Sequence, residues 1–206
     1  LLKKYSAHAT VFLIASRTVR KYYLTAGQIK EMHASGLVDF QSHTYDLHNM
    51  IDGRAAILKK DNESDSTYRI RVAADLSASR SAIEALTGES VTALALPYGI
   101  GDETVESFAR EAGFRAVMYA GVEAVHTCGD NPFHLDRVDV SRSNAKVMPK
   151  LLANGHFEYA SGWEASPPAP AADPRIRMTA PVNGSIIYSS PSIGPDGTIF
   201  VGAWDK

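Results

Sequence analysis

Two histidines, His43 and His48, follow the apolar run "LVDF" and stand five positions apart. Such an offset puts side chains on different faces of a helix and on opposite sides of a strand. They converge only if the chain turns between them, with His43 at the end of a strand and His48 on the turn or first helical residues that follow. Imidazole binds zinc-like ions and transfers protons near neutral pH. The spacing therefore predicts a metal-ligand pair or an acid/base pair, with a capping or hydrogen-bonding role as the alternative.

Strands and helices alternate around the pair. The strand signals are "ATVFLIA", "LVDF", "VTALALPYG", "FRAVMYA" and "LDRVDVS". The helix signals are "LTAGQIKEMHASG", "STYRIRVAADLSASRSAIEALTGE", "DETVESFAREAGF" and "NAKVMPKLLANG". In the first of these helices, Thr25 and Gln28 have the spacing of a capping box. The second ends at Gly88 and carries an apolar set at roughly helical intervals: Ile70, Leu76, Ile83 and Leu86. Alternation with short loops predicts a parallel sheet through about residue 155, in an open doubly wound sheet or a (β/α) barrel. Both architectures collect chemistry at the carboxyl ends of strands. We therefore expect the histidines and the Pro97-Tyr98-Gly99 turn to share one site.

Composition narrows the class of protein. The chain has 206 residues, 45% of them hydrophobic, and a formal net charge of −2, with no basic stripe that would predict nucleic-acid binding. No apolar run reaches the length of a transmembrane segment, and the start "LLKKYSAHATVFLIAS" does not have the pattern of a signal peptide. Cys128 is the only cysteine, which excludes an internal disulfide and a multi-cysteine zinc site.

The composition changes after residue 157 and predicts three segments. Residues 1–157 form the α/β domain, and residues 158–175, containing "SPPAPAADP", read as a Pro/Ala-rich linker. Residues 176–206 carry two strand-like runs, Ser185–Tyr188 and Thr198–Ala203, around a Gly-Pro-Asp-Gly turn. Two strands are marginal alone, so this β tail either packs on the first domain or belongs to a larger repeat array.

At "SHTYDLHN" together with "ALPYG", the sequence resembles the polysaccharide deacetylases, carbohydrate esterase family four, also called the NodB homology domain. It is most similar to the branch acting on poly-N-acetylglucosamine. The resemblance covers roughly residues 1–155 and implies a distorted (β/α) barrel. It also implies that His43 and His48 bind a divalent metal, zinc first, with nickel, cobalt or iron able to occupy the same ligands. Tyr98 falls where the family uses a backbone N–H to hold the oxyanion, and Pro97 and Tyr98 would line the sugar groove.

Some family features have no counterpart in these residues. The strand with two adjacent aspartates, one the catalytic base and the other a metal ligand, is not found, and we expect it to precede Leu1, so that the barrel lacks its first strand. His156 has only a superficial likeness to the histidine of the family's general acid, and Asp139 is a candidate to orient a site residue. Asp46 is the acid nearest the pair in sequence and is a candidate to complete the metal-ligand set, whereas the motif makes it a turn residue or an imidazole-orienting partner.

The resemblance implies a metal-dependent hydrolase that removes N-acetyl groups from N-acetylglucosamine units of a cell-surface or extracellular polysaccharide. It implies an extracellular or cell-envelope location, and weak or no activity without the two aspartates. One competing hypothesis is a non-catalytic carbohydrate-binding or adhesion module built on the same shell. Another is an amidase acting on a small substrate. The tail "YSSPSIGPDGTIFVGAWD" resembles one repeat of the quinoprotein-type β-propellers, which implies a fused accessory module.

Overall fold

The computed structural model describes residues 2–5, 7–120, 126, 130–137, 192–193 and 199–201. Within them the strands are β1 (Ala9–Leu13), β2 (Val38–Ser42), β3 (Met50–Ile51), β4 (Arg54–Ala55), β5 (Ala93–Ala95), β6 (Ala116–Ala120), β7 (Leu135–Arg137), β8 (Ser192–Ile193) and β9 (Ile199–Val201). The helices are α1 (Leu2–Tyr5), α2 (Ala26–Ala34), α3 (Asp65–Thr87) and α4 (Glu103–Glu111), with short 3-10 turns at Ala15–Arg17 and Pro97–Gly99.

Seven of these strands form one sheet, in the order β7-β6-β5-β2-β1-β9-β8. All neighbours run parallel except the β8–β9 pair. The predicted α/β class with a parallel sheet is therefore confirmed. Ser42 at the end of β2 pairs with Leu94 in β5, so the loops that follow these two strands emerge side by side. This register brings two distant parts of the sequence to one edge of the sheet.

The long helix α3 covers the sheet with a stripe of buried side chains. Tyr68, Val72, Leu76 and Ile83 are at most 3% exposed, and their spacings of four, four and seven residues keep them on one helix face. The sequence pattern also included Ile70 in this apolar set, but its side chain is 66% exposed. Ile70 lies two positions after Tyr68, which turns it away from the buried face.

The ends of two helices follow the chemistry of their capping residues. Thr25 and Gln28 form the predicted capping box at the start of α2, each side chain accepting a hydrogen bond from the other residue's backbone N–H. Gly88 ends α3 in the left-handed conformation, with φ of 75°. Glycine adopts this conformation without a steric penalty from a Cβ atom, so both predicted helix boundaries are confirmed.

A small hairpin, β3–β4, follows His48 and was not among the predicted elements. Asp52 and Gly53 form its turn, with φ values of 50° and 75°. Two consecutive residues with positive φ are typical of the tight turns that Asp-Gly favours. The "DG" dipeptide was thus the available signal, although each strand has only two residues and carries no readable alternation.

In the tail, β9 lies within the predicted run Thr198–Ala203 and pairs in parallel with β1. Several predicted features lie outside the described residues: the run Ser185–Tyr188, the helix "NAKVMPKLLANG" and the linker 158–175. The division into three segments stays a prediction. None of the helices in the described part of the chain is long and apolar enough to cross a bilayer.

Candidate metal and substrate site

His43 and His48 come together where β2 ends. His43 is the first residue after the strand, and His48 lies on the irregular segment between β2 and β3. Their ring centroids are 4.8 Å apart with the planes tilted by 60°. The chain turns between them, as the spacing of five residues predicted, and the next helix, α3, begins only at Asp65. The two imidazoles therefore belong to one site.

A carbonyl oxygen fixes the ring of His43. The Nδ1 atom lies 2.6 Å from the backbone oxygen of Ala95 at the end of β5. Because a carbonyl only accepts, this bond requires that Nδ1 carries the proton and leaves the Nε2 lone pair for another partner. Burial, followed by the positive charge of Arg137, lowers the pKa of His43 to about 3. The imidazole is therefore neutral near pH 7, which is the form that binds metals.

His48 is 5% exposed and is held from two sides. Its ring centroid lies 4.6 Å from that of Tyr98, and its backbone carbonyl accepts a hydrogen bond of 2.9 Å from Arg17. Burial is the main cause that lowers the pKa of His48, and the charge of Arg17 acts in the same direction. Both histidines thus favour the neutral state at physiological pH.

Strained backbone lies on both sides of the histidine pair. Thr44 has φ of 70° and Tyr98 has φ of 58°, a region that residues other than glycine enter rarely and β-branched residues least of all. Such strain persists only where surrounding contacts impose it, and it clusters at functional sites. Here it aims the chain immediately after His43 and the ring beside His48.

The turn Pro97–Gly99 places Tyr98 beside His48. Gly99 packs so closely on Ala120 that a Cβ atom at Gly99 would lie 2.1 Å from the Cβ of Ala120. Glycine is therefore required there for steric reasons as well as for its φ of 67°. Tyr98 is 38% exposed, while its ring contacts His48.

Several residues that support the site were not identified from the sequence. Asp75 and Ser79 reach the loop after β2 from helix α3, and Arg137 donates hydrogen bonds to the backbone oxygens of Tyr119 and Leu96. Arg17 donates a hydrogen bond to the backbone oxygen of His48. Their distance in sequence from the histidines leaves no local pattern to find. The single available signal was a polar residue, Ser79, on the apolar face of a helix.

Asp46 does not point at the histidine pair. Its carboxylate accepts a hydrogen bond of 2.7 Å from Ser16 and lies 3.9 Å from the guanidinium of Arg20. The candidates Asp139 and His156, and the lone Cys128, lie outside the described residues.

Two neutral imidazoles fit two positions of a zinc-like ligand set. Across the described ranges, however, no three His, Cys, Asp or Glu side chains are grouped to hold a metal.

Comparisons with known proteins point to one family. The profile of the family described as polysaccharide deacetylase matches residues 1–117. A poly-beta-1,6-N-acetyl-D-glucosamine N-deacetylase of Staphylococcus aureus (strain MSSA476) is 27% identical over 146 residues, which cover 68% of this chain and 48% of the relative. The Staphylococcus epidermidis protein of the same name is 31% identical over 159 residues, covering 73% and 51%.

A solved structure supports the same fold. The structure of IcaB from Ammonifex degensii superposes with a TM-score of 0.61 at 29% identity, covering 74% of this chain and 65% of that one. The chain spans about half the length of the two staphylococcal relatives.

Proposed function

The chain belongs to the polysaccharide deacetylase family, and from this we propose that it hydrolyses N-acetyl groups on N-acetylglucosamine units of a polysaccharide with the help of a divalent metal. The observation that carries the proposal is the pair His43 and His48, whose ring centroids lie 4.8 Å apart and whose lowered pKa values favour the neutral imidazoles. A pair held in this way, at the carboxyl ends of parallel strands, is suited to metal binding.

In the proposed role, His43 and His48 hold the metal, with zinc as the first choice and nickel, cobalt or iron as alternatives. When bound, such an ion lowers the pKa of a bound water and polarises an acetyl carbonyl. The residues of this chain contribute orientation. The Ala95 carbonyl keeps the proton on Nδ1 of His43, so that Nε2 is the atom offered to the ligand.

Tyr98 is proposed to serve the substrate in two ways. Its backbone N–H would donate to the oxyanion of the tetrahedral intermediate, as the resemblance implies. Its partly exposed side chain would pack against a sugar ring in the groove, and Pro97, which is buried, would contribute by fixing the turn that presents Tyr98. The contact between the Tyr98 and His48 rings supports both assignments, because it puts the turn next to the metal-binding imidazole.

The relatives support a proposal for the substrate class. Those matched are named as deacetylases of poly-beta-1,6-N-acetyl-D-glucosamine, and we propose the same polymer here. Since we propose action on such a polymer, we also propose a location outside the cell or in the cell envelope.

One observation favours a second candidate function. Among the described residues, no three His, Cys, Asp or Glu side chains are grouped so as to hold a metal. A site without a carboxylate ligand binds metal weakly, and a bound water without a base attacks slowly. The alternative is therefore a module with the deacetylase fold that binds the polysaccharide without removing its acetyl groups.

Zinc titration calorimetry tests the metal site. We compare the full chain with His43→Ala and His48→Ala, and use His8→Ala, at an exposed position, as the matched control. Loss of either imidazole should weaken zinc binding at least tenfold, while His8→Ala should leave it unchanged. Equal zinc affinity in all four proteins would exclude the proposed ligands.

The second assay separates an enzyme from a binding module. Release of acetate from β-1,6-linked N-acetylglucosamine oligomers is measured with zinc and with a chelator. The proposal expects zinc-dependent release that disappears in His43→Ala. Oligomer binding without acetate release in either condition would favour the binding module.

A further inference from the structure

Helix α3 holds the loop that carries the two histidines through a single carboxylate. One oxygen of Asp75 accepts the backbone N–H of Tyr45 at 2.8 Å, and the other accepts the N–H of Asp46 at 2.8 Å. These two amides are consecutive and lie between His43 and His48. Hydrogen bonds from N–H groups to a carboxylate are stronger than those between neutral groups. Asp75 therefore fixes the middle of the loop at two adjacent points.

One helical turn further on, Ser79 fixes the start of the same loop. Its hydroxyl lies 2.7 Å from that of Ser42, and both residues are fully buried. The Ser42 hydroxyl also accepts the N–H of Thr44 at 3.1 Å. Residues four apart lie above one another on a helix, so Asp75 and Ser79 form one clamp from one helix face.

The opposite wall of the loop is the end of β1 and the turn after it. The N–H of His43 donates to Leu13, and the carbonyls of Thr44 and Tyr45 accept from Ala15 and Ser16. The loop backbone is therefore bonded on both sides, by strand residues on one and by α3 on the other. Thr44 adopts its strained φ of 70° between these two walls.

We propose that Asp75 is a positioning residue, which sets the relative placement of the His43 and His48 rings by clamping the segment between them. Both of its oxygens accept amides of this loop, so its proposed role is to hold the loop. The consequence for metal affinity rests on the proposed function, because it requires that the histidine pair binds zinc. The consequence for ring placement does not depend on metal.

Asp75→Asn is the sharpest perturbation. An asparagine keeps the size of the side chain but offers one accepting oxygen and one NH2 donor. The NH2 group of the asparagine would face the backbone N–H of either Tyr45 or Asp46, so one of the two hydrogen bonds is replaced by a repulsive contact between donors. Asp65→Asn is the matched control, since its carboxylate is 94% exposed at the start of the same helix. Ser79→Ala removes the other half of the clamp.

Nuclear magnetic resonance on the metal-free full chain gives two readouts. Hydrogen exchange of the Tyr45 and Asp46 amides should be at least tenfold faster in Asp75→Asn than in the wild type, and unchanged in Asp65→Asn. The ring-to-ring nuclear Overhauser effect between His43 and His48, expected from a centroid distance of 4.8 Å, should weaken in Asp75→Asn alone. Unchanged exchange or an unchanged ring signal in Asp75→Asn would overturn the proposal.

Zinc titration then separates this inference from the proposed function. With Asp75→Asn we expect zinc affinity to fall about tenfold, while a urea melt shows that the variant is folded. Wild-type zinc affinity in a variant with altered ring placement would refute the link between the clamp and the metal. Absence of zinc binding by the wild type would refute the proposed function, while the metal-free measurements still decide the role of Asp75.

Discussion

Replacing Gly99 with alanine should destabilise the protein more than the same change at Gly36, Gly53 or Gly88, where an added Cβ atom would have no neighbour within 4 Å. Two costs combine at this position. The φ of 67° disfavours an L side chain by about 1 to 2 kcal/mol. The new methyl group would also lie 2.1 Å from Ala120 Cβ and 2.4 Å from Ala120 N, an overlap that adds about 1 to 3 kcal/mol of overpacking. We expect a total of about 2 to 5 kcal/mol.

Gly88→Ala isolates the first cost. Gly88 has φ of 75° but no atom within 4 Å of a Cβ placed there, so its substitution carries the backbone cost alone. Urea unfolding followed by circular dichroism gives both free energies of unfolding, provided that the two variants share one m-value. Gly99→Ala should be the less stable variant by about 1 to 3 kcal/mol. A difference below about 0.5 kcal/mol would refute the close packing of the turn on β6 and the placement of Tyr98 that depends on it.

Three further predictions concern the stability of the scaffold. Hydrogen bonds from the Arg71 guanidinium lower the pKa of Glu63 from 4.5 to about 2. The ionised carboxylate therefore stabilises the folded protein fully above pH 4.5. This contribution is lost as the pH falls toward 2. Glu63→Gln should flatten that part of the urea-derived stability profile and cost about 2 kcal/mol at pH 7; a profile identical to the wild type would contradict this. Thr10→Val should raise the free energy of unfolding by about 1 kcal/mol, because the fully buried Thr10 hydroxyl has no hydrogen-bond partner among the described residues; a loss of stability would count against it. Thr25→Ala should lower the thermal midpoint by removing about 1 kcal/mol of helix capping, and an unchanged midpoint would argue against the capping box.

The sequence alone determined the local features of this protein. Apolar runs of strand length and helices bounded by Thr25 and Gly88 predicted the α/β class, because hydrophobic periodicity and capping chemistry act over a few residues. The offset between His43 and His48 predicted a turn for a similar reason, since regular elements cannot bring such residues together. The family also followed from motifs readable in order along the chain.

The tertiary structure decided how the site is held. Asp75, Ser79 and Arg137 reach the site only because α3 packs on the sheet and β7 joins its edge. Likewise, the Ala95 carbonyl meets His43 because β5 lies beside β2, although 52 residues separate them in sequence. The neutral state of the histidines is a property of burial, which depends on the packing of the whole domain. The local sequence therefore determines which side chains are available for chemistry. Their orientation and protonation depend on contacts between distant parts of the chain, which form only when the protein folds.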